Sequence, residues 1–304
     1  MEIPTDQMDF EHRFSSEEKC LEYLAGLRWP EGFVCPKCGQ KGAWSMSRGL
    51  LLCRVCRYQA SITTGTVFHR SKKPLLTWFR ALWWMVAQKN GVSALGLMRV
   101  LGMGSYKTAW AWLHKFRRLM VLPGRERLSG VVEVDETYVG GSHPGKRGRG
   151  ASGKSLVVIG VEKTMLSTGR VRMAMIPSAT KISLEKFVRE NIEPGTVVIT
   201  DGLTGYNGLK GLGYEHFVED ETYAYEQGDL LPNVHRIASL LKRWLLGTHQ
   251  NFVRPGQLEF YLDEFTFRHN RRKAKSRGLL FKILLEQAVS HNPIQFTDIV
   301  ANHD

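Results

Sequence analysis

Cys35-Pro-Lys-Cys38 and Cys53-Arg-Val-Cys56 fall within a stretch of 22 residues, and no other feature of the sequence restricts the local fold as tightly. Two residues between cysteines let one tight turn present both sulfurs, and two such turns supply the four thiolates that zinc holds tetrahedrally. A redox dithiol needs a single pair, and four unrelated thiols would have to fall into two such pairs by chance. A zinc ribbon is therefore expected over residues 31–68, with Cys35, Cys38, Cys53 and Cys56 as ligands. With all four positions filled by protein, the Zn2+ would be structural. The fifth cysteine, Cys20, stands apart on a short expected helix from Ser16 to Leu27 and reads as a free thiol without a role.

At 304 residues the chain is long enough for two or three units, each with its own core. The apolar fraction of 43% is ordinary, and no run approaches the roughly 20 apolar residues of a membrane span. The first thirty residues mix acids with apolar groups and show no basic start followed by a hydrophobic run, so no signal peptide is expected and the address reads as intracellular. A formal charge of +13 and a pI of ≈ 9.6 favour a polyanionic partner, with nucleic acid ahead of a membrane surface because no basic amphipathic helix is present.

Residues 1–30 read as an N-terminal helical segment, and residues 69–121 as three helices, Leu75 to Gln88, Ser93 to Leu101 and Ser105 to Met120. The turn Gly102-Met-Gly104 before the last suggests a helix-turn-helix. Tyr106, Ala109, Trp110, Leu113, Phe116 and Met120 repeat at helical spacing as a packing face. The opposite face offers Lys107, His114, Lys115, Arg117 and Arg118, suited to DNA phosphates or simply to solvent. Trp83, Trp84 and Trp112 sit among apolar residues and are assigned to packing.

Leu122-Pro-Gly-Arg-Glu-Arg breaks the pattern, so 122–129 is read as a linker and 130–304 as a further domain. Its β-branched runs at Gly130 to Val139, Ser155 to Val161, Val171 to Ile176 and Thr196 to Thr200 are followed or separated by helical segments, which makes it α/β. Alternation in Val131-Val-Glu-Val-Asp-Glu-Thr-Tyr138 puts Glu133 and Asp135 on one face. Asp201 ends a second apolar strand at its carboxyl edge, where α/β sheets commonly hold ligands. Buried acids are costly unless paired or metal-bound, and two of them suit a divalent cation. In the helix from Asn233, Ile237, Leu240, Leu241, Trp244 and Leu245 form an apolar stripe, leaving His235, Ser239 and Lys242 together on the other side.

Zinc ribbon, helical segment, Glu133-Val-Asp135-Glu-Thr-Tyr-Val-Gly-Gly141, Thr200-Asp201-Gly202, Leu241-Lys-Arg-Trp244 and Tyr261-Leu-Asp-Glu-Phe-Thr-Phe-Arg-His-Asn-Arg271 together resemble the ISXO-like insertion-sequence transposases over nearly the whole chain. The resemblance implies a ribonuclease-H-like mixed sheet with flanking helices, and two divalent cations, Mg2+ or Mn2+, bound by acids of the first strand, the fourth strand and a later helix. It implies Asp135 and Asp201 as the first two ligands. The third position in such enzymes is usually a glutamate seven residues before Lys or Arg. Here the residue seven before Lys242 is His235, 34 residues after Asp201. Glu219, Asp220, Glu221 and Glu264 are rivals for that role. Imidazole offers one nitrogen and no charge, so histidine should shift the site toward manganese.

The activity so implied is metal-dependent cleavage at terminal inverted repeats followed by attack of the freed 3′-hydroxyl on target DNA. Lys146, Arg147, Arg149, Lys154, Lys242 and Arg243 are candidate contacts to the DNA backbone. Arg268, Arg271, Arg272 and Lys273 would extend that surface. A homodimer or larger assembly, located with the nucleoid in the cytoplasm, follows from the same resemblance. The competing reading is a DNA-binding regulator, a transposase that has lost its chemistry and uses only the ribbon and the helix-turn-helix.

Overall fold

The computed structural model describes residues 2–121, 124–140, 154–165, 167–219, 230–250 and 253–300, and the chain forms two compact units. The first combines the residues before 122 with residues 274–300; the second spans residues 124–273.

Helices α1 (Gln7–Arg13) and α2 (Glu17–Arg28) start where Asp6 and Ser16 accept the N–H groups of Asp9 and Lys19, as N-caps do. Sequence periodicity finds the second and misses the first, which is under two turns long. The ribbon follows as β1 (Ala43–Met46), β2 (Leu50–Cys53) and β3 (Gln59–Ser61) in an antiparallel sheet. Helices α3 (Leu75–Ala87), α4 (Ala94–Val100) and α5 (Tyr106–Leu119) match their expected spans to within one residue at each end. Pro74 cannot cap α3; Glu17 of α2 does so instead, its two carboxylate oxygens accepting the N–H groups of Leu75 at 2.7 Å and Leu76 at 2.9 Å.

The second unit is a five-stranded sheet of β4 (Val131–Val139), β5 (Ser155–Lys163), β6 (Thr168–Ile176), β7 (Val197–Thr200) and β8 (Glu215–Val218) in the order β6-β5-β4-β7-β8. β4, β5 and β6 are antiparallel neighbours, whereas β7 runs parallel to β4 and β8 parallel to β7. This mixed order is the ribonuclease-H-like architecture. Helix α6 (Lys181–Asn191) packs on one face, with Val132, Val134, Val158 and Val198 meeting Leu184, Phe187 and Val188. The other face packs Val157, Ile159, Val171 and Ile199 against α7 (Pro232–His249) and α8 (Pro255–Asn270). Because β4 lies at the centre with a layer on each side, both of its alternating residue sets face protein.

Two boundaries differ from expectation. Residues 124–129 are part of the sheet unit: Leu128 is buried, bridges Ile192 and exchanges backbone hydrogen bonds with Asn191 and Glu193 at 2.8 Å. At the other end, α9 (Arg277–Ser290) and α10 (Phe296–Val300) belong to the first unit and not to a domain running from 130 to 304. Phe281 of α9 is fully buried among Phe10, Phe14, Phe79 and Trp83, with ring centroids 5.5–5.8 Å away. A core assembled from both ends of a sequence is invisible to local periodicity. No described helix is long and apolar enough to cross a membrane.

Candidate active site

Asp135 lies at the middle of β4 on the face covered by α7 and α8, and its side chain is 17% exposed. One oxygen, Oδ1, accepts the N–H of Glu136 at 2.7 Å. The other, Oδ2, is 3.3 Å from His235 Nε2. Asp201 follows β7, which pairs parallel with β4, so the two acids come from neighbouring strands; its Oδ1 accepts the N–H of Leu203 at 3.2 Å. Burial, and then the negative charge of Asp201, raises the Asp135 carboxyl above the usual carboxylate range, while its own hydrogen bond and His235 oppose the rise. Two acids whose charges oppose each other with an imidazole beside them form a donor set for a divalent cation. The ligand atoms are looser than a closed cage. Among the described residues only the cysteines form a group of three or more whose ligand atoms all lie within 4.8 Å of one another.

Glu133 explains how His235 reaches Asp135. Helix α7 starts at Leu231-Pro232 with no capping side chain of its own. Glu133, two residues before Asp135 and on the same face, is 1% exposed and takes over that task. Its Oε2 accepts the N–H groups of Asn233 at 2.8 Å and Val234 at 3.1 Å, and its Oε1 accepts the Asn233 side-chain amide at 2.6 Å. One strand thus carries an acid that fixes the helix and an acid that faces its histidine. Leu231-Pro232, a helix start without a cap, was the available signal for this role. On the opposite face, Glu136 accepts the Tyr206 hydroxyl, and Thr200 Oγ1 lies 2.8 Å from His216 Nε2, bracing the loop after Asp201.

His235 and Lys242 are exposed on α7, and Ile237, Leu241 and Leu245 are buried. Partial burial, and then the charge of Lys154, lower the Lys242 ammonium, with Asp135 opposing. Arg243 is exposed on the same helix. Lys146, Arg147 and Arg149 lie outside the described residues, as do the rival ligands Asp220 and Glu221. Glu264 is fully buried and accepts Arg268 Nε at 2.8 Å, which removes it from contention. Glu219 follows β8, its N–H bound to the Thr200 carbonyl.

The basic face expected on α5 is largely covered, because α9 and α10 pack on that helix. Arg117 is 1% exposed and His114 fully buried, so neither is a DNA contact on an open face. Lys115 lies 5.9 Å from the Trp78 ring and its ammonium is lowered by burial. Lys107 sits over the Phe296 ring at 4.3 Å, and Arg118 donates to the Asp298 carbonyl. Arg271 and Arg272 are likewise used within the fold. Arg271 lies over Phe267 at 4.4 Å, and Arg272 donates to the carbonyls of Thr168 and Gly169.

The four cysteine sulfurs all lie within 4.8 Å of one another. Cys35 and Cys56 sulfurs are 3.6 Å apart and those of Cys38 and Cys53 3.7 Å. A tetrahedron with Zn–S bonds near 2.3 Å has sulfur edges of about 3.8 Å.

The family model described as transposase zinc-ribbon domain matches residues 15–59, and that described as ISXO2-like transposase domain matches residues 127–270. The chain is thus similar to the ISXO2-like transposases in its sheet unit and to transposase zinc ribbons near its start. The second match opens in the segment leading to β4 and closes at Asn270, the last residue of α8, so it coincides with the sheet unit. A protein of transposable element ISH50 in Halobacterium salinarum is 28% identical over 297 residues, covering 91% of this chain and 98% of its own length. Among solved structures, the catalytic core domain of BIV integrase is 19% identical, with 47% of this chain and 85% of that one aligned at a TM-score of 0.33. The Mos1 transposase paired-end complex is 11% identical, with 74% and 78% aligned at a TM-score of 0.28. At these scores the two likenesses add nothing to the strand order itself.

Proposed function

We propose that the chain is an ISXO2-like transposase that binds the terminal inverted repeats of an insertion sequence, cuts the DNA there and transfers the freed 3′-hydroxyl to target DNA. The observation that carries the proposal is the approach of His235 to Asp135 at 3.3 Å, with Asp201 on the adjoining strand end. Asp135, Asp201 and His235 would hold divalent cations, which supply activation of the attacking oxygen and stabilisation of the departing one. Burial keeps Asp135 oriented and short of water, and Glu133 holds the histidine's helix in register with it. Lys242, whose ammonium feels the charges of both Lys154 and Asp135, would meet a phosphate diester lying against the acids. The hydrogen bond to the Glu136 N–H keeps Asp135 Oδ1 fixed, so the carboxylate enters the reaction preorganised. Two ends must be brought together for transfer, which calls for a homodimer or a larger assembly on DNA.

The test is incubation of the full chain with duplex ends of its element and Mg2+ or Mn2+, scoring nicked and joined products separately. Asp135→Ala should reduce both by at least about a thousandfold. Binding without nicking in the wild type would favour the regulator, and nicking without joining would leave a nuclease. Replacing His235 by Glu should raise activity with Mg2+ relative to Mn2+, since a carboxylate suits the harder ion; an unchanged ratio counts against ligation by His235.

A further inference from the structure

The two zinc knuckles are near copies that differ at one revealing place. In the first, Gly39 N–H bonds to Cys35 O at 2.9 Å and Cys35 N–H to Gln40 O at 2.9 Å. In the second, Arg57 N–H bonds to Cys53 O at 3.2 Å and Cys53 N–H to Tyr58 O at 2.9 Å. The residue after the second cysteine is left-handed in both, with φ 72° at Gly39 and φ 58° at Arg57. Glycine adopts that conformation without penalty, whereas an L-residue with a long side chain does so only against a steric cost. The second knuckle thus gives up backbone stability for an arginine.

That arginine has a use in the folded ribbon. Its guanidinium carbon lies 4.6 Å from the ring centroid of Trp44, a residue of β1 that is 42% exposed, and Arg54 approaches the same ring at 5.8 Å. A guanidinium held against an indole retains its N–H donors for a pair of anionic oxygens and has already lost side-chain freedom, so binding costs less ordering. The surroundings match a polyanion: residues 31–58 carry Lys37, Lys41, Arg48, Arg54 and Arg57 against the single acid Glu31. Helix α5, which sequence periodicity favours for DNA, has its own cations engaged by α10 and Trp78.

We propose that the Trp44, Arg54 and Arg57 face of the ribbon binds the phosphate backbone of double-stranded DNA. The proposal rests on the transposase reading and assigns it a contact surface in the first unit. Phosphate contact is independent of base sequence, so the probe is a fluorescein-labelled random-sequence duplex of roughly 30 base pairs, titrated with the zinc-loaded full chain across a range of salt.

The double variant Arg54→Gln with Arg57→Gly should bind at least about tenfold more weakly, and its slope of log affinity against log salt should flatten by about 2, or roughly 0.9 for each phosphate lost. Arg57→Lys keeps the charge and loses the fork, so it should retain the slope while weakening affinity. Arg57→Gly alone should keep its zinc and melt at the same or a higher temperature while binding less, a divergence that a purely structural arginine would not produce. Unchanged affinity and slope in the double variant would overturn the proposal and leave the transposase reading intact. Weakened binding confined to a single-stranded probe would overturn it as well. A wild-type chain that binds no duplex at low salt would remove both.

Discussion

Glu133 and Asp135 share one face of β4 and are of similar chemistry, yet their surroundings give them different tasks. Glu133 is closed in by three donors, whereas Asp135 keeps one oxygen toward a titratable partner. Replacing Glu133 by Gln exchanges an acceptor for a donor facing the Asn233 amide groups. We expect Mn2+ affinity to fall by about tenfold or more with all three candidate ligands intact, as when groups that orient metal ligands are changed. Calorimetric titration of Mn2+ checks this; lost thermal stability with unchanged affinity would reduce Glu133 to a helix cap. The alternation around Asp135 and the seven-residue step from His235 to Lys242 were readable in the sequence because period is local. The Glu133 contact was not, since it joins residues 100 apart.

Helix α8 shows what a matching motif can conceal. Its closing residues read as a basic surface, but Asn270 exchanges two hydrogen bonds with Val171, at 2.8 and 3.0 Å, and so closes the outer edge of β6 as a strand neighbour would. The same helix holds two displaced titrations. Burial raises the Asp263 carboxyl to about 6 against the pull of Arg125. Burial and then Arg272 lower the His269 imidazole to about 4. Between pH 4 and 6 the folded chain keeps the Asp263 proton that the unfolded chain releases, so that term weakens the fold as pH rises. Over nearly the same interval the unfolded chain protonates His269 and the folded chain does not, so that term strengthens the fold as pH rises. The two oppose each other. Asp263→Asn should therefore uncover a stability that falls as pH drops from about 6.5 to 4, by an amount on the order of 2 kcal/mol, and be more stable than wild type at pH 7. Urea denaturation at a series of pH values measures it; parallel curves for variant and wild type would refute the assignment.

At the scale of the molecule, four of the five strands of the sheet unit were legible along the sequence, whereas the expected domain from 130 to 304 runs past the end of that unit at 273. Short β8 escaped because four residues at a sheet edge carry little pattern, and α9 was assigned to the sheet unit because nothing local says which core Phe281 enters. Two measurements separate the units. Chelation of zinc should unfold the ribbon while leaving the cooperative melting of the sheet unit in place. Phe281→Ala should cost about 3–5 kcal/mol in the first unit, read by Trp83 fluorescence, with the sheet unit unaffected.

The aromatic cluster around Phe281 also has a consequence for synthesis. Its first members, Phe10 and Phe14, leave the ribosome early, but the ring that completes their packing arrives only after the entire sheet unit has been translated. A frameshift or early stop within that sheet unit would therefore release a chain with an unfinished helical core, open to proteolysis.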